Sequence, residues 1–172
     1  MRAMSVTAPR PGRRSILLAA FFVAFLGLAA GPVAHPAPVQ AGTAEYMEGL
    51  LVKWINNARE NRGVPPLRVG SLLTSLAGDR SATLARTGKL VHPDCLSRVF
   101  RKRGISFTSC AEVLATTTYP WGYEAARSIF RAWKGSSTHW SILMSRKFKQ
   151  IGIGVAYRSS DHSTWAAGEL AG

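Results

Sequence analysis

Two histidines and one glutamate stand where side-chain chemistry is plausible. His92 lies in GKLVHPDC, His139 lies in GSSTHWSIL, and Glu112 lies in SCAEVLA among small and apolar residues. A carboxylate buried in such a run needs a hydrogen-bond donor or a cation. Two imidazoles and one carboxylate could ligate Zn²⁺ or another divalent cation, with water in the fourth position, as in hydrolytic zinc sites. Alternatively, Glu112 accepts the N–H of one histidine and fixes its tautomer, or the three groups only satisfy one another.

Other catalytic patterns are weaker. A Ser–His–Glu arrangement that uses Ser136 or Ser137 lacks the G-x-S-x-G setting of a nucleophile elbow, and the H-E-x-x-H motif of zincins is absent. His162, in SSDHS, is typical of a solvated turn. The candidate site is therefore His92, Glu112 and His139, with the two histidines as candidate metal ligands, and whether the protein is an enzyme stays open.

The two cysteines flank two of these residues. Cys95 follows His92 and Cys110 precedes Glu112, each within a few positions. In an oxidising compartment such a pair is expected to form a disulfide, which contributes about 3 kcal/mol in the chain-entropy model. A bridge with a Cα separation of roughly 5.5–6 Å would hold the His92 and Glu112 segments side by side. Two free thiols are the alternative.

The N-terminus predicts export. Four arginines without an acid precede an apolar run over residues 16–30, which is shorter than the roughly 20 residues of a membrane span. The sequence PVQA then gives an A-x-A-like site ending at Ala41. We predict a signal peptide and linker over residues 1–41, cleaved after Ala41, a domain over residues 45–172, and a secreted protein. An uncleaved anchor, the one predicted route to a membrane, is the alternative.

The chain is strongly basic. Its formal net charge is +13, and loss of the four N-terminal arginines would reduce it to +9. Such a charge favours polyanions, which outside a cell are wall polymers and lipid headgroups. The basic clusters at 101–103 and at 146, 147 and 149 are not interleaved with aromatic residues, so we predict no specific nucleic-acid partner.

Helices and a hairpin must position the candidate residues. Apolar residues at spacings of three and four predict an amphipathic helix from Glu45 that Gly63 ends. A second helix is predicted over residues 71–88 with Ser71 as its N-cap, a short one over 96–104 with extended chain after it, and a third substantial helix over 123–135.

A β-hairpin is predicted at the C-terminus. In QIGIGVAYR large apolar residues alternate with glycine and alanine, and the turn-like SSDHS leads to a second extended run, TWAAGEL. Helices followed by a hairpin predict an α+β fold. The small residues of the first strand predict a helix packed close against that face.

Several segments together resemble the bacterial CAP superfamily (cysteine-rich secretory proteins, antigen 5 and pathogenesis-related 1 proteins; the SCP domain). GKLVHPD resembles the segment that carries the family's first histidine, and CAEVLA resembles its GENIA motif with Ala111 and Val113 replacing Gly and Asn. WKGSSTHWSIL resembles W-x-x-S-P-G-H-R-x-x-I-L with the spacing from Trp133 to His139 intact. LVKWINNARENRGVPPL resembles the first helix, with the expected residues at Asn56, Arg59, Gly63, Pro65, Pro66 and Leu67.

The resemblance implies a three-layer α-β-α sandwich with a central antiparallel sheet and a cleft where histidines and acids meet. Of the family's two histidines and two glutamates, which hold a divalent metal in some members, His92, Glu112 and His139 carry over. The second glutamate does not, because Glu124 lies too early on its helix. The Pro-Gly before the second histidine and the Arg after it are also replaced, by Ser137, Thr138 and Trp140.

The expected function is that of a secreted module that binds an extracellular ligand, namely a lipid, a wall polymer or a protein, in a His/Glu cleft that could hold a divalent metal. Tyr119, Trp121 and Tyr123 could supply an apolar rim or pack internally. Two alternatives stay open. One is a metal-dependent hydrolase that uses His92, His139 and Glu112, and the other is a wall-associated protein that binds polyanions by charge alone.

Overall fold

The computed structural model describes residues 43–172, which contain five helices and four strands. The predicted signal peptide, its linker and the cleavage site after Ala41 lie outside the described residues. Within residues 43–172, no helix is both long enough and apolar enough to cross a membrane.

The four strands form one mixed sheet in the order β1-β3-β4-β2. Strands β3 and β4 are the predicted hairpin, and β2 pairs antiparallel with β4. The two-residue strand β1 pairs parallel with β3. The central antiparallel sheet is therefore confirmed for three strands, and β1 adds a short parallel edge. The strands cover Arg68–Val69 (β1), Cys110–Thr117 (β2), Gln150–Arg158 (β3) and Ser163–Ala171 (β4).

Helix α1 covers Ala44–Glu60, as the apolar spacing from Glu45 predicted. Thr43 caps it, because its hydroxyl accepts the backbone N–H of Tyr46 at 3.2 Å. Gly63, in the left-handed region at φ 64°, turns the chain away after the helix. The predicted apolar face is fully buried at Met47, Leu51 and Ile55.

Arg59 ties α1 to two other segments. Its side chain is buried, and its guanidinium donates hydrogen bonds to four backbone carbonyl oxygens. An arginine is rarely buried unless its donors are satisfied. This residue therefore joins the end of α1 to the link before β1 and to the segment before β3. The four carbonyls belong to Pro65, Leu143, Ser145 and Phe148.

Helices α2 and α3 lie on the other side of the sheet from α1. Helix α2 covers Ser71–Thr87 and ends at Gly88, which has φ 67°. Its N-cap is Gly70 rather than the predicted Ser71, which is the first helical residue. Helix α3 covers Leu96–Lys102, as predicted, but the extended chain after it does not enter the sheet.

The glycines of β3 allow α2 to lie directly on the sheet. A Cβ added at Gly152 would lie 2.1 Å from backbone atoms of Leu73 and Thr74, and one at Gly154 would lie 2.2 Å from the backbone of Ala77. No residue with a side chain fits at these separations. The prediction of a helix packed on the glycine face is confirmed.

Helices on both faces give the predicted three-layer arrangement. Helix α4 covers Tyr123–Gly135, as predicted, and α5 covers Ser137–Leu143. These two helices and α1 enclose the larger core, in which Trp133 is completely buried. On the opposite face, α2 and α3 pack around Phe100, and α2 also packs against Trp165 of β4.

Candidate functional site

Glu112 is the buried centre of the candidate site. Side chains alternate along β2, so Glu112 faces α2 together with Leu114, while Val113 faces the larger core. Only 1% of the Glu112 side chain is exposed. The Nε of Arg80, on α2, donates to its Oε1 at 2.6 Å, and Nη2 donates to Oε2 at 3.4 Å. The prediction that this carboxylate requires a donor is confirmed.

Arg80 also holds the segment that carries the first histidine. Its Nη2 donates to the carbonyl oxygen of Val91 at 2.7 Å. One guanidinium therefore joins α2, β2 and the loop before α3. This is the role that we expected the disulfide between Cys95 and Cys110 to play.

His92 is oriented by the same carboxylate. Its Nδ1 lies 2.7 Å from Oε2 of Glu112, while 57% of its side chain is exposed. In a neutral ring, an Nδ1–H that donates to a carboxylate leaves Nε2 as the acceptor. This geometry matches the alternative, stated above, in which Glu112 accepts the N–H of one histidine and so fixes its tautomer.

His139 lies near His92 but is held by a different element. It is the third residue of α5, where Ser136 caps the helix by accepting the backbone N–H of His139 at 3.4 Å. Burial lowers the pKa of His139, and the nearby charge of a protonated His92 lowers it further. The imidazole of His139 is therefore neutral at neutral pH, able to donate one hydrogen bond and accept another.

A second buried glutamate, which the sequence analysis missed, lies beside Glu112. Glu169 of β4 is directly opposite Glu112 in the strand register and is completely buried, and within residues 43–172 its carboxyl group has no hydrogen-bond partner other than the carboxylate of Glu112. Burial raises its pKa to about 9, with the Glu112 carboxylate adding to the rise and Arg80 opposing it. Glu169 is therefore protonated and uncharged at neutral pH. We call Arg80, His92, Glu112 and Glu169 the Glu112 cluster.

The sequence contained a signal for both missed residues. Arg80 lies four positions from Leu76 and from Leu84, so it falls on the apolar face of its helix. Glu169 is an acid inside an apolar strand, the same anomaly that singled out Glu112. A charged residue on a buried face usually has a partner of opposite charge or is neutral.

The carboxylate of Glu112 is not free to bind a divalent cation in this arrangement. Both of its oxygens accept hydrogen bonds from the guanidinium of Arg80, which is always charged, and Oε2 also lies at hydrogen-bond distance from Nδ1 of His92. A dication on this carboxylate would be repelled by Arg80 or would have to displace it. Within residues 43–172, no group of three or more His, Cys, Asp or Glu side chains is placed to hold a metal ion.

The expected disulfide is not formed in the structure, where Cys95 and Cys110 are free thiols. The sulfur of Cys95, at the start of α3, lies 3.4 Å from the hydroxyl of Ser97, and that hydrogen bond lowers its pKa. Cys110 packs among the apolar residues around Phe100; burial raises its pKa, and the nearby Cys95 adds to the rise. In the structure, hydrogen bonds rather than a covalent bridge join the His92 and Glu112 segments.

The remaining candidate residues lie outside the Glu112 cluster. Glu124 pairs with Arg127 in the first turns of α4, which agrees with its exclusion from the site. His162 lies in the hairpin turn, where its Nδ1 is 2.7 Å from the hydroxyl of Tyr157, so its assignment as a turn residue is confirmed. Ser136 serves as a helix cap rather than as a nucleophile paired with an imidazole.

The predicted aromatic rim is not beside the Glu112 cluster. Tyr119 follows the far end of β2, seven residues from Glu112, and an extended chain of that length spans roughly 23 Å. Tyr123 packs edge-on against Trp54, with 5.5 Å between ring centroids, and Trp121 packs against a tyrosine of β3. Internal packing, the other alternative, describes the half-buried Trp121, whereas Tyr123 contacts Trp54 but remains 48% exposed.

Comparisons with solved structures show the same fold. The chain is similar to an extracellular SCP-domain protein of Bacillus anthracis (14% identity, TM-score 0.63, 74% of this chain and 41% of that one). It is also similar to a cysteine-rich secretory protein of Staphylococcus aureus, with 20% identity and a TM-score of 0.61 over 78% of this chain and 40% of that one. A third similar structure is an outer surface protein of Borrelia burgdorferi, with 18% identity and a TM-score of 0.64 over 76% of this chain and 97% of that one. The chain thus spans about two fifths of the Bacillus and Staphylococcus proteins.

The sequence itself identifies the family. No curated protein sequence matches this chain. The model of the cysteine-rich secretory protein family, CAP, matches residues 52–168, which include His92, Glu112 and His139. Because this match covers well over half of the chain, the protein belongs to the CAP family.

Proposed function

We propose that this protein is a secreted CAP domain that binds an extracellular ligand at the exposed face of His92, without a metal ion. One observation carries the proposal: buried Glu112 holds Nδ1 of His92, while more than half of the imidazole remains exposed with Nε2 free to meet a ligand. A hydrogen-bonding group held by a rigid buried partner is typical of a recognition site. The extracellular and outer surface proteins among its structural relatives support secretion.

Apolar side chains next to His92 indicate the chemistry of the ligand. Leu90 and Val91 are 46% and 58% exposed and directly precede His92. Exposed apolar side chains beside an oriented polar group suit a ligand with a hydrogen-bonding head and an apolar body. An extracellular lipid has this chemistry.

Octan-1-ol, whose hydroxyl can donate to Nε2 of His92, is a suitable probe for calorimetry, and methanol represents its head group alone. We expect the protein to bind octanol and not methanol, and His92→Ala to weaken octanol binding by about tenfold through loss of the hydrogen bond. His162→Asn is the matched control, because this histidine lies outside the Glu112 cluster and asparagine tolerates its φ of 55°. No octanol binding by the unmodified protein, or equal losses in both variants, would refute the proposal.

The apolar contact is tested separately. The double variant Leu90→Ser, Val91→Ser should weaken octanol binding. The control is Val69→Ser, Leu72→Ser, a pair that is also exposed but lies elsewhere. Equal affinities of the two double variants would show that the residues before His92 do not contact the alkyl chain.

The metal-dependent alternative predicts a different result. Because Glu112 is held by Arg80 and His92, this alternative requires Zn²⁺ to bind Nε2 of His92 together with His139. Titration with Zn²⁺ should give no binding heat if the protein works without a metal ion. Binding heat that disappears in both His92→Ala and His139→Ala would instead favour a metal site and a hydrolase. The alternative of binding by charge alone predicts that added salt abolishes ligand binding and that His92→Ala leaves it unchanged.

A further inference from the structure

A basic pocket lies away from the Glu112 cluster, where α1 ends and β3 begins. It has a volume of about 410 Å³. Four cationic side chains line it, and no acidic side chain of residues 43–172 is among its lining. The cations are Arg59, Arg68, Arg146 and Lys149.

Backbone pairing brings two of these cations together. The backbone N–H of Arg68 donates to the carbonyl oxygen of Lys149 at 3.0 Å, immediately before β1 and β3 run parallel. The side chains of both residues are exposed. None of the five ion pairs within residues 43–172 involves either residue, so both charges are available to a ligand.

The other two cations differ in burial and in the number of hydrogen bonds that hold their side chains. Arg59 is buried and all of its bonds go to backbone carbonyls, so it forms the fixed wall of the pocket. Arg146 donates one hydrogen bond to the carbonyl of Gly63 and remains exposed. Burial lowers the pKa of Arg59, and the charge of Arg146 lowers it further. A bound anion between these two cations would reduce their mutual repulsion.

The rest of the lining is apolar. Phe148, which is almost completely buried, and the exposed Pro65 and Pro66 complete the pocket. An inorganic anion would use the cations alone, whereas an anion carried by an organic body would also cover these apolar surfaces.

We propose that this pocket binds a phosphate group of an organic phosphate ester or diester through Arg68, Arg146 and Lys149. Several cations converging from different segments match a group with three or four acceptor oxygens spread around one centre, and guanidinium groups suit phosphate geometry in particular. The site shares no residue with the Glu112 cluster, so it does not depend on the ligand proposed for His92.

The first experiment titrates the protein with glycerol phosphate by calorimetry. The pocket variant is Arg68→Gln, Lys149→Gln, and the matched control is Arg131→Gln, Lys134→Gln on the exposed side of α4. Each variant loses one arginine and one lysine, and none of these four side chains forms a hydrogen bond or ion pair within residues 43–172. We expect the pocket variant to lose affinity by roughly tenfold or more and the control to retain it.

Two results would overturn the proposal: glycerol phosphate does not bind to the unmodified protein, or both double variants lose affinity equally, in which case net charge alone is responsible. Urea midpoints of the variants would show whether each has folded. The single variant Lys149→Glu, which reverses one exposed charge at the pocket, should weaken glycerol phosphate binding in any case, and unchanged affinity there would also contradict the assignment.

A second arm separates a lipid headgroup from a soluble phosphate ester as the source of the group. Phosphatidylglycerol vesicles are compared with phosphatidylcholine vesicles for binding by sedimentation. If the pocket variant loses glycerol phosphate binding specifically, an additional specific loss of phosphatidylglycerol binding would identify a lipid as the source. Equal vesicle binding by both double variants, together with the specific loss for glycerol phosphate, would identify a soluble source. Absence of the specific loss for glycerol phosphate would refute the proposal whatever the vesicles show.

Discussion

Replacement of Glu169 by glutamine should make the protein more stable at neutral pH. Glu169 is completely buried on β4, and its pKa is raised to about 9 by burial and then by the adjacent carboxylate of Glu112. The charged groups that face it are Glu112 on β2 and Arg80 on α2, with the thiol of Cys110 nearby. The folded protein must therefore retain a proton that the unfolded chain releases near pH 4.5.

The sign and size of the effect follow from this difference in pKa. A carboxyl group whose folded pKa is raised stabilises the fold fully below the unfolded pKa, and that stability is lost as the pH rises through the folded pKa. Between pH 4.5 and pH 7, about 2.5 pH units at roughly 1.4 kcal/mol per unit amount to about 3 kcal/mol, as an upper bound. Glutamine cannot ionise and avoids this cost. Glu169→Gln should therefore gain up to about 3 kcal/mol over the unmodified protein at pH 7 and almost nothing at pH 4.5.

Urea unfolding followed by tryptophan fluorescence at several pH values between 4.5 and 8 measures the difference. Glu124→Gln is the control, because it removes an acid that is more than half exposed and should leave the pH dependence unchanged. The reasoning fails if Glu169→Gln is less stable at pH 7 than the unmodified protein. It also fails if the difference between the two proteins is the same at every pH.

Three further changes test the packing and the thiols. Arg80→Met leaves the buried carboxylate of Glu112 without its cation and should lower the free energy of unfolding by about 3 kcal/mol in urea titrations, whereas an unchanged value would mean that the pair is dispensable. Gly154→Ala places a methyl group into the backbone of α2 and should cost about 2 kcal/mol in the same assay, unless the helix can shift. In the reduced protein, iodoacetamide should modify Cys95 before Cys110, because the Ser97 hydrogen bond lowers the first thiol pKa and burial raises the second; peptide mass spectrometry would detect the reverse order.

The elements with strong local periodicity were predictable. Helix α1 has one apolar stripe at helical spacing, and the hairpin alternates in two strands around a polar turn. In α1 the pattern comes from burial on one side of the helix. In β3 both faces are buried, and the pattern is instead the alternation of large apolar residues on one face with glycines under α2 on the other. The close approach of α2 could also be predicted, because glycines at every second position of β3 remove the side chains that would keep a helix away.

Strand β2 and helix α5 were not predictable for the opposite reason. In β2, Val113, Leu114 and Ala115 are all buried because both faces of the strand are covered, so no alternation remains to be recognised. Helix α5 has only seven residues, too few for a stripe, and its N-cap is a serine that also suits a turn. Both elements form because of tertiary packing, which a local sequence pattern does not show.

The candidate site was half predictable. The cost of burying a carboxylate identified Glu112 and its need for a donor, and the sequence settings of His92 and His139 identified the two histidines, which the family resemblance then supported. Arg80 and Glu169 were missed because their relation to Glu112 depends on strand register and on the side of the sheet that α2 covers. The disulfide between Cys95 and Cys110, which was inferred from compartment and number, is not formed in the structure and stays a prediction.

The charges of the Glu112 cluster explain why one glutamate is ionised and the other is not. Two adjacent buried carboxylates cannot both be charged when one guanidinium is the cation between them. Arg80 contacts Glu112 with two nitrogens and contacts no oxygen of Glu169, so it stabilises the charge on Glu112 and leaves the proton on Glu169. An ionised Glu112 is in turn the acceptor that fixes the ring of His92. A lysine at position 80 could not hold the carboxylate and the carbonyl of Val91 with the same fixed geometry, so the orientation of His92 depends on an arginine there.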